Sequence, residues 1–171
     1  MSTDFSDHDF RRSDRVSTYA KLYNLLRSKR WREADIETRR LMLTIVGANQ
    51  KPDCLLTQYN IQQFPCHDLV QIDQLWRHFS DGRFGFHTIY QIYVEVNKDY
   101  AALSERVGWR RGKKWIGYND VIFTDDAPIG HLPITWLVPT TFWMYWLARF
   151  ASVGWRLLLE RWETCYWTIN N

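Results

Sequence analysis

Between Tyr19 and Val107 apolar residues return at intervals of three and four, the period of an α-helix, and that rhythm limits the fold more than any other feature of the chain. Tyr19, Leu22, Tyr23 and Leu26 form one stripe. Ala34, Thr38, Leu41, Met42 and Ile45 form a second, closed by Gly47 as a C-cap. Together they predict a helical hairpin; its Trp31-x-x-Ala34 turn has no second copy at a fixed period, so no solenoid is expected. A polar connection from Gln50 to Asn60 leads to a third helix starting near "FPCHDL", where Pro65 suits a first turn and Asp68 the positive helix end. Its inner face reads Leu69, Ile72, Leu75, Trp76 and Phe79. Gly82 and Gly85 break the pattern within "SDGRFGF", Ile89, Ile92, Tyr93 and Val96 resume it, and Asn97 or Asp99 caps a short helix carrying Tyr100, Leu103 and Val107. The fold class is all-α, a compact helical bundle.

The period lapses from Gly108 to Pro133, where only "WIGYNDVIF" (Trp115 to Phe123) has strand character. A long irregular segment in a compact helical domain is more often functional than accidental. Beyond Pro139 the helical period returns. Trp143, Trp146, Phe150, Val153, Leu157 and Leu158 fall on one side and Arg149, Ser152, Arg156, Glu160 and Glu163 on the other, the pattern of an amphipathic helix. Six of the ten tryptophans lie in the last 36 residues. The apolar run from Ile134 to Ala148 contains Pro139 and stops at Arg149, short of the roughly 20 residues that a membrane span requires.

A chain of 171 residues, 46% hydrophobic, suffices for one domain with its own core. Its net charge of +3 does not indicate a wholly basic nucleic-acid binder, so a positive site must be local. Cys54, Cys66 and Cys165 are far apart and include no CxxC pair, which predicts free thiols in a reducing compartment. The first residues, "MSTDFSDHDFRR", have neither the apolar core of a secretory signal nor the acid-poor character of a transit peptide, and read as a loose cytoplasmic tail.

No HExxH, GxSxG or phosphate-cradling glycine loop is present, and no cysteine has an evident base partner, so no catalytic constellation emerges. Asp125, Asp126 and His131 can be drawn as a metal site, though an Asp pair before "APIGH" reads more simply as a turn or cap device. Cys66-His67 has two readings: a small buried residue at a helix start, or a covalent attachment point for a linear tetrapyrrole. The loop "GWRRGKKWIGYND" admits three. Arg110, Arg111, Lys113 and Lys114 with Trp109, Trp115 and Tyr118 can track a nucleic-acid backbone, bracket the carboxylates of a flat macrocycle stacked on Trp115 and Tyr118, or form a solvated turn whose tryptophans point inward.

Five motifs, in one order and spacing, bear on that choice: "YAKLYNLLRSKRWREADIETRRLML" (Tyr19 to Leu43), "FPCHDLVQIDQLW" (Phe64 to Trp76), "SDGRFGF" (Ser80 to Phe86), "RVGWR" (Arg106 to Arg110) and "APIGHLP" (Ala127 to Pro133). They resemble the genomes uncoupled four family of tetrapyrrole-binding proteins. The resemblance runs from about Tyr19 to Pro133 and implies a helical domain, here residues 15–135; a flexible tail (1–14) precedes it, and a Trp-rich amphipathic extension (136–171), largely outside the resemblance, follows. It implies a protein that is not an enzyme. Such a protein binds protoporphyrin IX or Mg-protoporphyrin IX and stimulates magnesium chelatase, through that enzyme's large porphyrin-binding subunit, at the entry to chlorophyll synthesis.

The resemblance also puts the ligand between two long loops, here Gln50 to Gln62 and Gly112 to Trp136. A porphyrin presents an apolar disc and two propionates, so its site needs greasy surface with cations at one rim. Leu55 and Tyr59 can supply surface from one loop, and Trp115, Ile116, Tyr118, Phe123 and Leu132 from the other. Arg110, Arg111, Lys113 and Lys114 are rim candidates. His131 is a candidate axial ligand to a bound Mg ion and equally a loop-locking hydrogen bonder.

Two departures stand out. Family members commonly carry arginines shortly after "GHLP", whereas here no cation appears before Arg149, and "GFHTIYQIY" with His87 and Thr88 replaces the usual "GFSVQ" pattern. They suggest a divergent member, with a bilin as an alternative ligand in a sensory or storage role. A further alternative is a ligand-free scaffold. For the Trp-rich extension, packing on its own domain, peripheral membrane contact through residues 136–165, and docking to a partner protein all stay open; nucleic acid is not an expected partner.

Overall fold

The computed structural model describes residues 16–49, 56–134 and 148–170, with the side chains at 16–17, 148–153 and 170 set aside. Among the described residues the elements are α1 (Val16–Arg27), α2 (Trp31–Ile45), α3 (Gln58–Gln62), α4 (Cys66–Phe79), α5 (Phe86–Glu95), α6 (Tyr100–Arg106), a hairpin of β1 (Arg110–Arg111) and β2 (Lys114–Trp115), a 3-10 turn (Tyr118–Asp120) and α7 (Ala148–Asn170). The all-α reading is borne out.

The stripes read from the sequence face one common core. α1 and α2 pack as a hairpin, α1 also lies on α4, and α4, α5 and α6 follow one another around the same centre. Leu22, Leu26, Ala34, Met42, Leu69, Ile72, Leu75 and Trp76 are fully enclosed there. Burying each large aliphatic side chain contributes on the order of 1.5–3 kcal/mol. Trp31 opens α2 by stacking on Trp76 at 5.9 Å, and the Trp76 indole donates to Thr38 Oγ1 at 2.9 Å, so the polar atom of that buried ring is satisfied. Asp99 caps α6, its carboxylate accepting from the amides of Ala101 and Ala102.

Four local expectations are revised. The connection from Gln50 to Asn60 ends in α3, a single turn that the sequence pattern is too short to announce; Thr57 and Asn60 close its N-terminus with a reciprocal capping box. The strand character assigned to Trp115 to Phe123 falls earlier. Arg110 pairs with Trp115 and Arg111 with Lys114, leaving a two-residue turn in which Gly112 adopts φ +60°, a conformation open to glycine.

The C-terminal helix carries its apolar stripe in a different phase from the one predicted. Trp155, Leu158, Leu159, Trp162 and Cys165 are buried while Leu157 is half-buried; Trp136, Trp143 and Trp146, and the side chains of Arg149, Phe150, Ser152 and Val153, lie outside the described residues. α7 lies against α3, α4 and α5, with Trp155 4.6 Å from Trp109, and Trp155 and Trp162 each 6.4 Å from Phe86. Of the three roles left open for the extension, its described part packs on its own domain. No helix among the described residues is long and apolar enough to cross a membrane.

The expectation of free thiols does not hold for two of the three cysteines. Cys66, at the start of α4, and Cys165, on α7, form a disulfide across 99 residues, with their Cα atoms 4.9 Å apart. A pairing set by which helix faces meet carries no spacing signature. Cys54 lies outside the described residues. With its sulfur in the disulfide, Cys66 offers no thiol for covalent attachment of a linear tetrapyrrole.

Candidate functional site

The segment after the hairpin is held on α2 through two carboxylates, the buried Asp35 and the exposed Asp125. Asp35 is 0% exposed; its Oδ1 accepts from the Ile134 amide at 2.6 Å and its Oδ2 from the Tyr118 hydroxyl at 3.3 Å. Asp125 accepts from the Trp31 indole at 2.8 Å and from Lys29 Nζ at 2.6 Å. Three points of one loop, Tyr118, Asp125 and Ile134, are thereby fastened to Trp31 and Asp35 in the first turns of one helix. Burial, reinforced by the facing Asp35 carboxylate, pushes the Tyr118 phenol well above its ordinary pKa, so the hydroxyl stays a neutral donor.

This fastening builds an aromatic ledge. The Tyr118 and Phe123 rings meet edge to face at 5.5 Å, and the Arg32 guanidinium lies over both, 5.5 Å from one centroid and 5.1 Å from the other. Ile36, one turn beyond Arg32 on α2, is 50% exposed.

The hairpin takes its residues elsewhere. Trp115 is 43% exposed and stacks on Tyr100 of α6 at 5.8 Å rather than on the ledge. Arg111, Lys113 and Lys114 are exposed at the turn; Arg110 is half-buried, and its Nε is enclosed without a hydrogen-bond partner. Ile116 follows, its amide bonded to the Trp109 carbonyl at 3.0 Å.

His131 and Leu132 are enclosed. The His131 Nδ1 lies 2.6 Å from the Val107 carbonyl and Nε2 accepts from the Ile122 amide at 3.1 Å, an arrangement satisfied by the neutral ring with its proton on Nδ1. Burial lowers the ring's pKa, in keeping with that neutral form. Its backbone carbonyl accepts the Trp109 indole at 2.8 Å. Of the two roles left open, His131 locks the loop; both ring nitrogens are engaged, so neither is open to a metal. Gly130 explains its place in "GHLP": its φ is +75°, and a Cβ there would stand 2.8 Å from Ile92 Cδ1 and 3.0 Å from Val107 Cγ1. Asp125 and His131 serve different partners, and among the described residues no group of three or more ligating side chains gathers around a metal position.

Of the residues proposed from the sequence, Tyr118, Phe123 and Ile116 therefore follow one another along the segment that returns to α2, whereas Arg110, Arg111, Lys113 and Trp115 belong to the hairpin beside α6. Tyr59 stands 71% exposed on α3, and Leu55 lies outside the described residues. Sequence reasoning passed over Arg32, Asp35 and Ile36. Asp35 did leave a signal, a carboxylate beside Ala34 and Thr38 on an otherwise inward-facing helix stripe, where a charge must find partners.

Comparison with known proteins bears on this arrangement. A family model described as GUN4-like matches residues 12–149. The chain is 33% identical over 124 residues to a protein of Arabidopsis thaliana named tetrapyrrole-binding protein, chloroplastic, covering 67% of this chain and 47% of that one. It is 30% identical over 117 residues to a Ycf53-like protein of Synechocystis, covering 68% and 50% respectively. The chain thus spans about half the length of the curated relatives it matches. Among solved structures, the ligand-free structure of Arabidopsis thaliana GUN4 superposes with a TM-score of 0.66 at 28% identity, covering 82% of this chain and 93% of that one. The Chlamydomonas reinhardtii GUN4 structure, at 22% identity and the same TM-score of 0.66, covers 95% of this chain and 94% of that one and attests the fold.

Proposed function

We propose, since the chain belongs to the GUN4-like family, that it binds a tetrapyrrole on the face where the segment from Ile116 to Ile134 lies against α2. The observation that carries this reading is the ledge of Tyr118 and Phe123, fastened by Asp35 and topped by Arg32 beside the exposed Ile36. A flat apolar ligand with charged side arms needs a rigid greasy surface and a cation at its edge, and this face offers both. The Arabidopsis relative's name supports the same ligand class.

Within that class we favour protoporphyrin IX or its magnesium complex, non-covalently held, with the exposed Tyr59 of α3 as a further candidate contact. The protein performs no chemistry on the ligand. It presents the ligand to magnesium chelatase through the large porphyrin-binding subunit and so regulates chlorophyll synthesis. His131 would not hold a bound Mg ion, because both of its ring nitrogens are engaged within the loop.

Titration with protoporphyrin IX tests the reading. Saturable quenching of tryptophan emission with a shifted porphyrin absorption band is expected, and Tyr118→Ala combined with Phe123→Ala weakens binding more than Trp115→Ala. A double variant that folds and binds like the parent removes the ledge from the site.

A further inference from the structure

Among the described residues several cations around α2 are paired with carboxylates, and Arg32 is not. Lys29 holds Asp125 at 2.6 Å, Arg30 holds Glu33 at 3.0 Å, and Lys21 and Arg40 both hold the buried Glu37, at 2.8 and 2.5 Å. Arg39 has an interaction of its own. Arg32 has no carboxylate within ion-pair distance among the described residues; its contacts are the rings of Tyr118 and Phe123. The neighbouring acids are occupied: Glu33 by Arg30, and Asp35 by the Ile134 amide and the Tyr118 hydroxyl.

A guanidinium lying over aromatic rings is attracted to them through its face and can keep its in-plane N–H donors for a planar anion, which it then meets in the paired geometry that a lysine lacks. The rings hold Arg32 in advance, so less rotamer entropy is lost when an anion arrives. Beside it, Ile36 extends an exposed aliphatic surface. A cation and apolar surface one helical turn apart match an apolar disc with a carboxylate arm at its edge.

We propose that Arg32 reads the carboxylate arm of the bound tetrapyrrole. The inference rests on the tetrapyrrole reading of this face. Arg32 is a positioning and specificity residue: the ledge and Ile36 receive any flat macrocycle, and Arg32 selects one whose side arm is ionised.

The experiment compares protoporphyrin IX, which carries two propionates, with its dimethyl ester, which has the same disc and no charge. Each is titrated against the full chain, Arg32→Gln and Arg32→Lys, with circular dichroism and melting curves confirming that the variants are folded. Arg32→Gln is expected to weaken the free acid about tenfold, the worth of one charge-assisted contact, and to leave the ester within about twofold. Arg32→Lys recovers part of the loss because it keeps the charge and loses the fork. Raising salt should weaken the acid and spare the ester.

A merely structural Arg32 would shift both ligands alike, and that result overturns the proposal. So does a parent protein that binds acid and ester equally while Arg32→Gln changes neither, an outcome that leaves the tetrapyrrole reading standing. A parent protein that binds neither ligand overturns that reading and this inference with it.

Discussion

Reducing the Cys66–Cys165 disulfide should lower the melting temperature without undocking α7. The bridge closes a loop across 99 residues, and a cross-link of that span restricts the unfolded chain by up to about 4.7 kcal/mol at 25 °C in the chain-entropy account. Native bridges removed from small domains give about 2–5 kcal/mol, a range that contains the entropic figure. For a domain of this size each kcal/mol moves the melting temperature by about 2–4 °C, which makes the expected drop on the order of 5–15 °C. α7 stays in place because Trp155, Leu158, Leu159 and Trp162 remain buried against the other helices, each contributing on the order of 1.5–3 kcal/mol. Melting followed by circular dichroism, with and without a phosphine reductant and in Cys66→Ser and Cys165→Ser, gives the comparison. Thiol titration in denaturant gives the chemistry: of the three cysteines, one should react before reduction and three after. Three reactive thiols in the unreduced protein, or one melting temperature shared by oxidised and reduced forms, would refute the reasoning.

Other predictions concern buried polar groups. Removing the Asp35 carboxylate by Asp35→Ala leaves the Ile134 amide and the Tyr118 hydroxyl without their partner, so a loss of about 1–3 kcal/mol per stranded group and weaker porphyrin binding are expected in denaturation and titration experiments; unchanged stability would show that the loop is not fastened there. At the junction of α4 and α5, burial pushes the Asp73 carboxyl up to about 7 from 3.8, although the His87 amide at 2.8 Å and Arg77 at 3.9 Å oppose it. Between those pH values the folded state keeps a proton that the unfolded state has released, so stability present below about 4 is lost as pH rises to about 7. His87, stacked on Tyr166 at 5.0 Å, is lowered by burial to about 4 from 6.5, and its contribution runs the other way: present above 6.5, lost as pH falls through about 4. Asp73→Asn should therefore make stability fall more steeply on acidification between pH 6.5 and 4 than in the parent, and His87→Gln should leave a decline with rising pH. Chemical denaturation across that range checks both slopes, and parallel curves for parent and variants would contradict them.

The helices were legible because their periods are long and their stops are chemical: Gly47, Pro65, Gly82 and Asp99 each mark an end that the structure keeps. α3 was not, since one turn gives no period and its capping pair is an Asn at the position where Glu or Gln is the readable signal. The hairpin was misplaced because two-residue strands carry no alternation, whereas the Gly112-Lys113 turn that fixes them was present in the sequence. The disulfide depends on which face α7 presents to α4, a tertiary fact. The loop residues of the candidate site were found by their type, but their division between α6 and α2 depends on Trp115 meeting Tyr100 and Tyr118 meeting Asp35, pairs separated by 15 and 83 positions. Arg32 escaped notice because, by sequence, it is one of many surface cations; its seat over the Tyr118 and Phe123 rings is a tertiary fact.

The central claim, a tetrapyrrole held on the α2 ledge, is tested most directly by adding protoporphyrin IX to the folded, oxidised chain and following tryptophan emission together with the porphyrin absorption band. The account predicts saturable quenching at micromolar ligand with a shifted band, both diminished in the Tyr118→Ala, Phe123→Ala double variant. Quenching that rises linearly without saturation, with no band shift, would contradict it.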